Sequence, residues 1–238
     1  MTSAEAPDDG LPRHIYTLPT ALLTLGRVFW SHPMTTELTD ELEAPTAPAS
    51  DLEHALELML RALRAHEHEP SHTADTARRV AAAYRHQLAG YDEDPRRHLG
   101  KVFPAPDNPG LVVVTDVQVS SMCAHHLLPI TGYATIAYRP HPGQPVVGLS
   151  KLARLLDGYA RRFQVQEQLG NQVSTALQEV LNPMGAACII TAEHGCMTLR
   201  GVMQKGSRTT TTSWTGDWDL DPLNVDRQAV LSEHQRAR

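Results

Sequence analysis

Leu111-Val112-Val113-Val114-Thr115-Asp116-Val117-Gln118-Val119 is the stretch on which the architecture of this chain turns. β-Branched side chains at this density are stiff at χ1 and pack well on a pleated surface, so the run reads as a strand. A second run, 132–138 (Gly-Tyr-Ala-Thr-Ile-Ala-Tyr), reads the same way. Downstream the period changes. One helix is expected from Ser150, with Leu152, Leu155, Leu156 and Tyr159 on a single face, and another from Gln166 to Leu181, ending before Pro183. Residues 186–192, 197–203 and 209–214 then read as strands. Two strands, two helices and further strands predict an α+β domain with helices on one face of an antiparallel sheet.

Upstream, Ser50 and Glu53 have capping-box spacing, and Leu52, Leu56, Met59, Leu60 and Leu63 follow at helical intervals. A His- and Glu-rich break covers 66–72, and a second helix is expected over 73–89, stopped by Gly90. Residues 1–50 contain six prolines and long polar stretches. Such composition offsets ordering entropy poorly, so an irregular or disordered extension is expected, with the more apolar 15–30 as a segment that could dock on the body or a neighbouring subunit. After Gly216 the chain turns acidic and then mixed in charge, which reads as a peripheral tail. The expected division is therefore 1–50 extension, 51–100 helical region, 101–216 catalytic domain and 217–238 tail.

The 238 residues are 41% hydrophobic and 20% charged, ordinary values for a soluble globular protein. No apolar run approaches the roughly 20 residues that span a bilayer, so no membrane role is expected. The first ten residues carry Glu5, Asp8 and Asp9 without a basic residue, unlike a signal peptide. A formal charge of −6 argues against general nucleic-acid binding, which draws on counterion release, so an anionic substrate needs a local basic cluster. Three cysteines, Cys123, Cys188 and Cys196, fit a reducing cytoplasm in which thiols serve metals or cores.

Cys123-Ala124-His125-His126 places a thiol three residues before an imidazole, and Glu193-His194-Gly195-Cys196 follows some way along the chain. Cys123, His126 and a distant Cys196 form the soft-to-borderline set zinc prefers, and three protein ligands leave a fourth position open, as catalytic sites do. Taken singly, each could equally be a core residue. On a strand His194 and Cys196 would share a face, one free to ligate while the other acts on substrate. Cys188, among Ala186, Ala187, Ile189 and Ile190, reads as core, and His66, His68 and His72 as a solvated loop. Lys151 and Arg154 share a face near a helix N-terminus opened by a capping Ser150, an arrangement suited to phosphate or simply to solvent. Arg200 would lie on the strand face of Cys196. Gln166 and Glu167 could read the N1–H and 2-amino donors of guanine, or merely cap their helix.

Cys-Ala-His-His-Leu-Leu-Pro (123–129), Val-Gly-Leu-Ser-Lys-Leu-Ala-Arg (147–154), Gln-Val-Gln-Glu (164–167), Glu-His-Gly-Cys-Met-Thr-Leu-Arg-Gly (193–201) and Thr-Thr-Thr-Thr-Ser (209–213) together resemble GTP cyclohydrolase I, in order and spacing. The resemblance spans roughly 75–216. It implies the tunnelling fold, a homodecamer of two pentamers with active sites at subunit interfaces, and conversion of GTP to 7,8-dihydroneopterin triphosphate and formate, the entry to folate and pterins. It further implies Zn2+ on Cys123, His126 and Cys196, and hydrolytic attack at C8 of guanine with His194 protonating N7. His125 would shuttle protons, assisted by Ser150 in the later rearrangement. Glu167 with Gln166 would read guanine, while Lys151, Arg154 and Arg200, with Arg79 from a neighbouring subunit, would hold the triphosphate.

The chain departs from that pattern at Ala124, where the family has glutamate, at Ala77 after Thr76 and at Ala82, and it lacks the Asp-Pro…Gly-Leu segment before that helix. Two other readings stay open: a diverged cyclohydrolase that stops at a formamidopyrimidine or takes another guanine nucleotide, and a non-catalytic zinc-binding paralogue.

Overall fold

The computed structural model describes residues 49–237 apart from 69, 105 and 106. The expectations for 1–48, including the docking segment 15–30, lie outside the described residues. Helix α1 covers Ala49–Ala62, α2 Pro70–Thr73 and α3 Thr76–Gln87; two 3-10 stretches, Ala89–Asp92 and Pro95–Gly100, lead to β1 (Val102–Phe103). Then come β2 (Val112–Cys123), β3 (Pro129–Arg139), β4 (Val146–Val147), α4 (Leu149–Ala160), β5 (Phe163–Gln164) and α5 (Gln166–Leu181). The chain finishes with β6 (Gly185–His194), α6 (Gly195–Thr198), β7 (Thr209–Gly216), α7 (Asp217–Leu220) and α8 (Val225–Arg236).

The main sheet has the order β5-β2-β3-β6-β7. Its four long strands are antiparallel neighbours, and β5 joins β2 in parallel over two residue pairs. The α+β class read from the sequence is the one observed. Within β2 the register slips between Val114 and Val117, at Asp116 with φ 56°. This bulge decides the packing. Val112 and Val114 precede it, Val117 and Val119 follow it, and all four pack in the same core. Strict alternation would have turned the second pair to the opposite face.

That core lies between one face of the sheet and helices α4 and α5. Leu152, Leu155, Leu156, Leu169, Val173 and Leu177 meet Ala134, Ile136, Tyr138, Cys188 and Ile190, all buried. Each leucine so enclosed contributes about 1.5–3 kcal/mol relative to exposure. The 3-10 segment before β1 joins the same core through Leu99, while α1 and α3 form a smaller one from Leu56, Ala77 and Ala81. Of the leucines read as the face of α1, Leu52, Leu56 and Leu60 form this seam and Leu63 is exposed.

The segment after Gly216, expected to be peripheral, is part of the packed molecule. Trp218 and Val230 bury against Ala137, Ala187 and Ile189 on the opposite sheet face. A Cβ on Gly185 would overlap the Trp218 indole, so glycine is what lets α7 close on β6. Arg139 pairs with Asp226, and Arg227 lies 4.7 Å over Trp214 while donating to the Trp218 carbonyl. Farther along α8 the buried His234 meets the hydroxyls of Thr135 at 2.7 Å and Thr191 at 2.9 Å and stacks on Tyr133. The polar look of this helix hid these contacts. Its few inward residues are a valine, a leucine and a histidine spread among charges.

Candidate metal centre

Cys123 is the last residue of β2, on the helix-covered face, and the connection to β3 carries Ala124, His125 and His126. The turn is fixed by its own backbone. Cys123 N donates to Leu128 O and Leu127 N donates to Cys123 O, each at 2.9 Å, with Leu127 at φ 54°. Ala124 N donates to Gln164 O at 3.0 Å, tying the turn to β5. Cys123 is buried, His125 and His126 are exposed, and both Nδ1 atoms stand 3.9 Å from Cys123 Sγ.

The partner thiol arrives differently from the expectation. Strand β6 stops at His194, and the chain enters the single turn of α6, which carries Cys196. Residues 197–203, read as a strand, are helix and turns. They belong to the connection between β6 and β7, and since those strands pair directly, Ala192 with Thr209, nothing between them can add a strand there. Gly201 and Met203 at φ 61° and 49° shape the turn. His194 and Cys196 therefore do not alternate along one strand. Arg200 does not sit on a strand face either; its Nη1 donates to His126 Nε2 at 2.7 Å.

The ligand atoms of Cys123, His126 and Cys196 all lie within 4.8 Å of one another, the one such group of metal-capable side chains among the described residues. Two thiols and an imidazole suit zinc. Burial and then the neighbouring Cys123 push the Cys196 thiol up, with Arg200 opposing. Two thiolates side by side repel, and a divalent cation between them removes that conflict, so the residues present fit a metal. Cys188 is wholly buried, its thiol pushed up to about 12 by desolvation, and it belongs to the core. His66, His68 and His72 are exposed and outside any such group.

His194, half-buried on the same sheet face, hydrogen-bonds through Nε2 to Gln166 Oε1 at 2.7 Å. Burial lowers its pKa and the Glu167 carboxylate opposes that shift. Gln166 departs from the reading of a guanine-facing amide. It is 1% exposed, and its Nε2 donates to Ile190 O, Thr209 O and Thr211 Oγ1. The carboxamide is engaged inside the protein, and only Glu167 of the pair is exposed. Thr211 is the one side-chain partner on β7 that sequence could have offered, read as strand and as part of the resemblance; the Ile190 and Thr209 contacts are backbone carbonyls, which no residue type announces.

Ser150, Lys151 and Arg154 occupy the first turns of α4. The N-cap is Gly148, so Ser150 lies inside the helix rather than capping it. Among the described residues neither Lys151 nor Arg154 forms an ion pair, whereas Arg79, exposed on α3, stands 3.6 Å from Asp75.

The α+β frame carries a cluster of two thiols and an imidazole compatible with a metal ion, and a histidine held by a buried glutamine. Residues 52–233 match the family GTP cyclohydrolase I. The chain is 46% identical to "GTP cyclohydrolase 1" of Bacillus cytotoxicus over 181 residues, covering 76% of this chain and 93% of the relative. The proteins of that name from Bacillus mycoides and Bacillus cereus are 45% identical over the same share of each chain. The chain belongs to the GTP cyclohydrolase I family, whose members are hydrolases.

Proposed function

We propose that this chain hydrolyses the imidazole ring of guanine in GTP, releasing formate and forming 7,8-dihydroneopterin triphosphate, with zinc as its metal. The observation that carries the reading is the convergence of Cys123, His126 and Cys196 within 4.8 Å. Bound there, zinc supplies Lewis acidity and lowers the pKa of water towards neutrality.

The chain's own residues supply the rest. His194, held at Nε2, protonates N7 of the guanine. Exposed Glu167 accepts from N1–H and the 2-amino group. Lys151, Arg154 and Arg200 hold the triphosphate, and guanidinium groups suit its geometry. His125 and Ser150 move protons in the steps after ring opening.

The enzyme works as a homo-oligomer, a decamer in this reading. Residues 112–121 of β2 have a strand neighbour on one side only among the described residues, as does all of β7. Two different open edges on one sheet suit head-to-tail pairing of copies into a ring. Arg79, on a helix packed mainly against α1, then serves a neighbour's site.

Ala124 favours a second reading. It is exposed beside two of the donor residues and offers no acceptor, so the late proton transfers could fail and leave a ring-opened formamidopyrimidine. Incubation of zinc-loaded protein with GTP, followed by formate assay, mass spectrometry and pterin fluorescence, separates the cases. Formate with a fluorescent pterin triphosphate is the expected result. A non-fluorescent pyrimidine would establish the second reading, and no ring-opened species at all would leave a non-catalytic metal protein.

A further inference from the structure

Gln166 is buried, and every polar atom of its side chain has a partner. Its Nε2 faces Ile190 O at 3.0 Å, Thr209 O at 3.0 Å and Thr211 Oγ1 at 3.1 Å. Backbone carbonyls only accept, so the amide nitrogen must be on that side and the orientation of the carboxamide is not free. Oε1 is thereby turned to His194 Nε2 at 2.7 Å. An amide oxygen only accepts as well. The proton of the His194–Gln166 hydrogen bond must therefore sit on Nε2, which leaves Nδ1, without a hydrogen bond among the described residues, as the nitrogen that exchanges protons.

We propose that Gln166 is a positioning residue that locks His194 in the Nε2–H tautomer and presents Nδ1 to the substrate. The carbonyls of β6 and β7 transmit the order: they orient the amide, the amide orients the imidazole, and the imidazole acts. This rests on the reading of His194 as proton donor. During that step the proton leaves Nδ1 for the guanine ring nitrogen, the electron pair of the N–H bond stays on Nδ1, and the bond from Nε2–H to Gln166 persists throughout. The ring needs no turn or tautomer change between turnovers. Removing the lock lets the neutral ring divide between tautomers, and the Nδ1–H form cannot accept the proton back at the working nitrogen.

The test has three arms on the full-length, metal-loaded protein. Solid-state NMR of sedimented protein labelled with 13C,15N-histidine, with His194 assigned by its loss in His194→Asn, should show the Nε2–H tautomer in the wild type. An Nδ1–H tautomer there overturns the proposal without any Gln166 variant having to fold. Gln166→Met, close in length and apolar, should keep its metal, show mixed His194 tautomers, and lower kcat for formate release about tenfold or more while KM for GTP stays within about threefold. A raised KM with unchanged kcat would instead make Gln166 a guanine contact. Finally, Gln166→Met combined with His194→Asn should be no slower than His194→Asn alone, whereas an additive loss would mean that Gln166 acts by another route. If the wild type releases no formate, the functional reading fails, while the tautomer measurement still decides the structural claim.

Discussion

Cys123 closes a strand and Cys196 sits in a single helical turn, so the donor cluster needs two backbone geometries that only tertiary structure brings together. Its candidates were nevertheless legible, because two thiols and an imidazole are donor types zinc prefers, although taken singly each reads equally well as a core residue. Cys123→Ser or Cys196→Ser should lose most of the roughly one zinc per chain expected of the purified protein. Elemental analysis finding undiminished zinc in both would refute the ligand assignment. Arg200 hydrogen-bonds to His126 of the cluster, and its proposed role divides by ligand. Arg200→Ala should weaken GTP binding roughly tenfold or more, the scale of a charge-assisted hydrogen bond, and guanosine far less. Equal weakening in calorimetry would make it structural. What the sequence could not disclose at this scale was Gln166. A glutamine beside a glutamate looks like a polar pair for a ligand, and only the packing of α5 on β6 and β7 shows that one of the two points inward.

Among the elements, the long strands and α4 and α5 were readable because their apolar periods are regular and their ends are marked by Gly and Pro. The bulge in β2 was not, since Asp116 interrupts a valine run without changing its composition. Residues 197–203 failed for the opposite reason. They are apolar enough for a strand, but the pairing of β6 with β7 leaves no place for one. Helix α8 was missed because its inward residues are few, and it carries the clearest pH dependence. His234 is buried between two threonine hydroxyls, and burial lowers its pKa from the usual 6.5, with Asp116 opposing. The folded state therefore favours the neutral ring. Its stabilising contribution is complete above pH 6.5 and is lost as pH falls below that value through the folded pKa, because the unfolded chain then binds the extra proton. The melting temperature should fall between pH 7.5 and 5.5 more steeply in the wild type than in His234→Gln. His194 shifts in the same direction in both proteins and cancels from the comparison. Parallel profiles would show that His234 does not set the dependence.

At the scale of the whole molecule, the sheet has two unlike open edges among the described residues, which a symmetric dimer cannot both satisfy, and the proposed assembly would therefore pair them head to tail into a ring. Light scattering should give a mass several times the 26.2 kDa of one chain, and a monomer at micromolar concentration would contradict the assembly. If sites are shared, Arg79→Ala and Cys123→Ser, each impaired alone, should regain activity when co-expressed, because some interfaces then combine an intact arginine with an intact metal site. Absence of any recovery in a mixed oligomer would place Arg79 outside the site. Strand β6 itself joins two unlike regions. It begins against Trp218 at Gly185 and ends at His194, ten residues that at about 3.3 Å each separate the two by roughly 30 Å. Among the described residues, the tryptophan-packed end, with Arg227 over Trp214, touches none of the groups proposed to hold metal or substrate. Proteins commonly exchange activity for rigidity when the same residues must provide both. Here those demands fall at opposite ends of one strand, so thermal hardening of the tryptophan end by laboratory evolution is open to selection without slowing turnover.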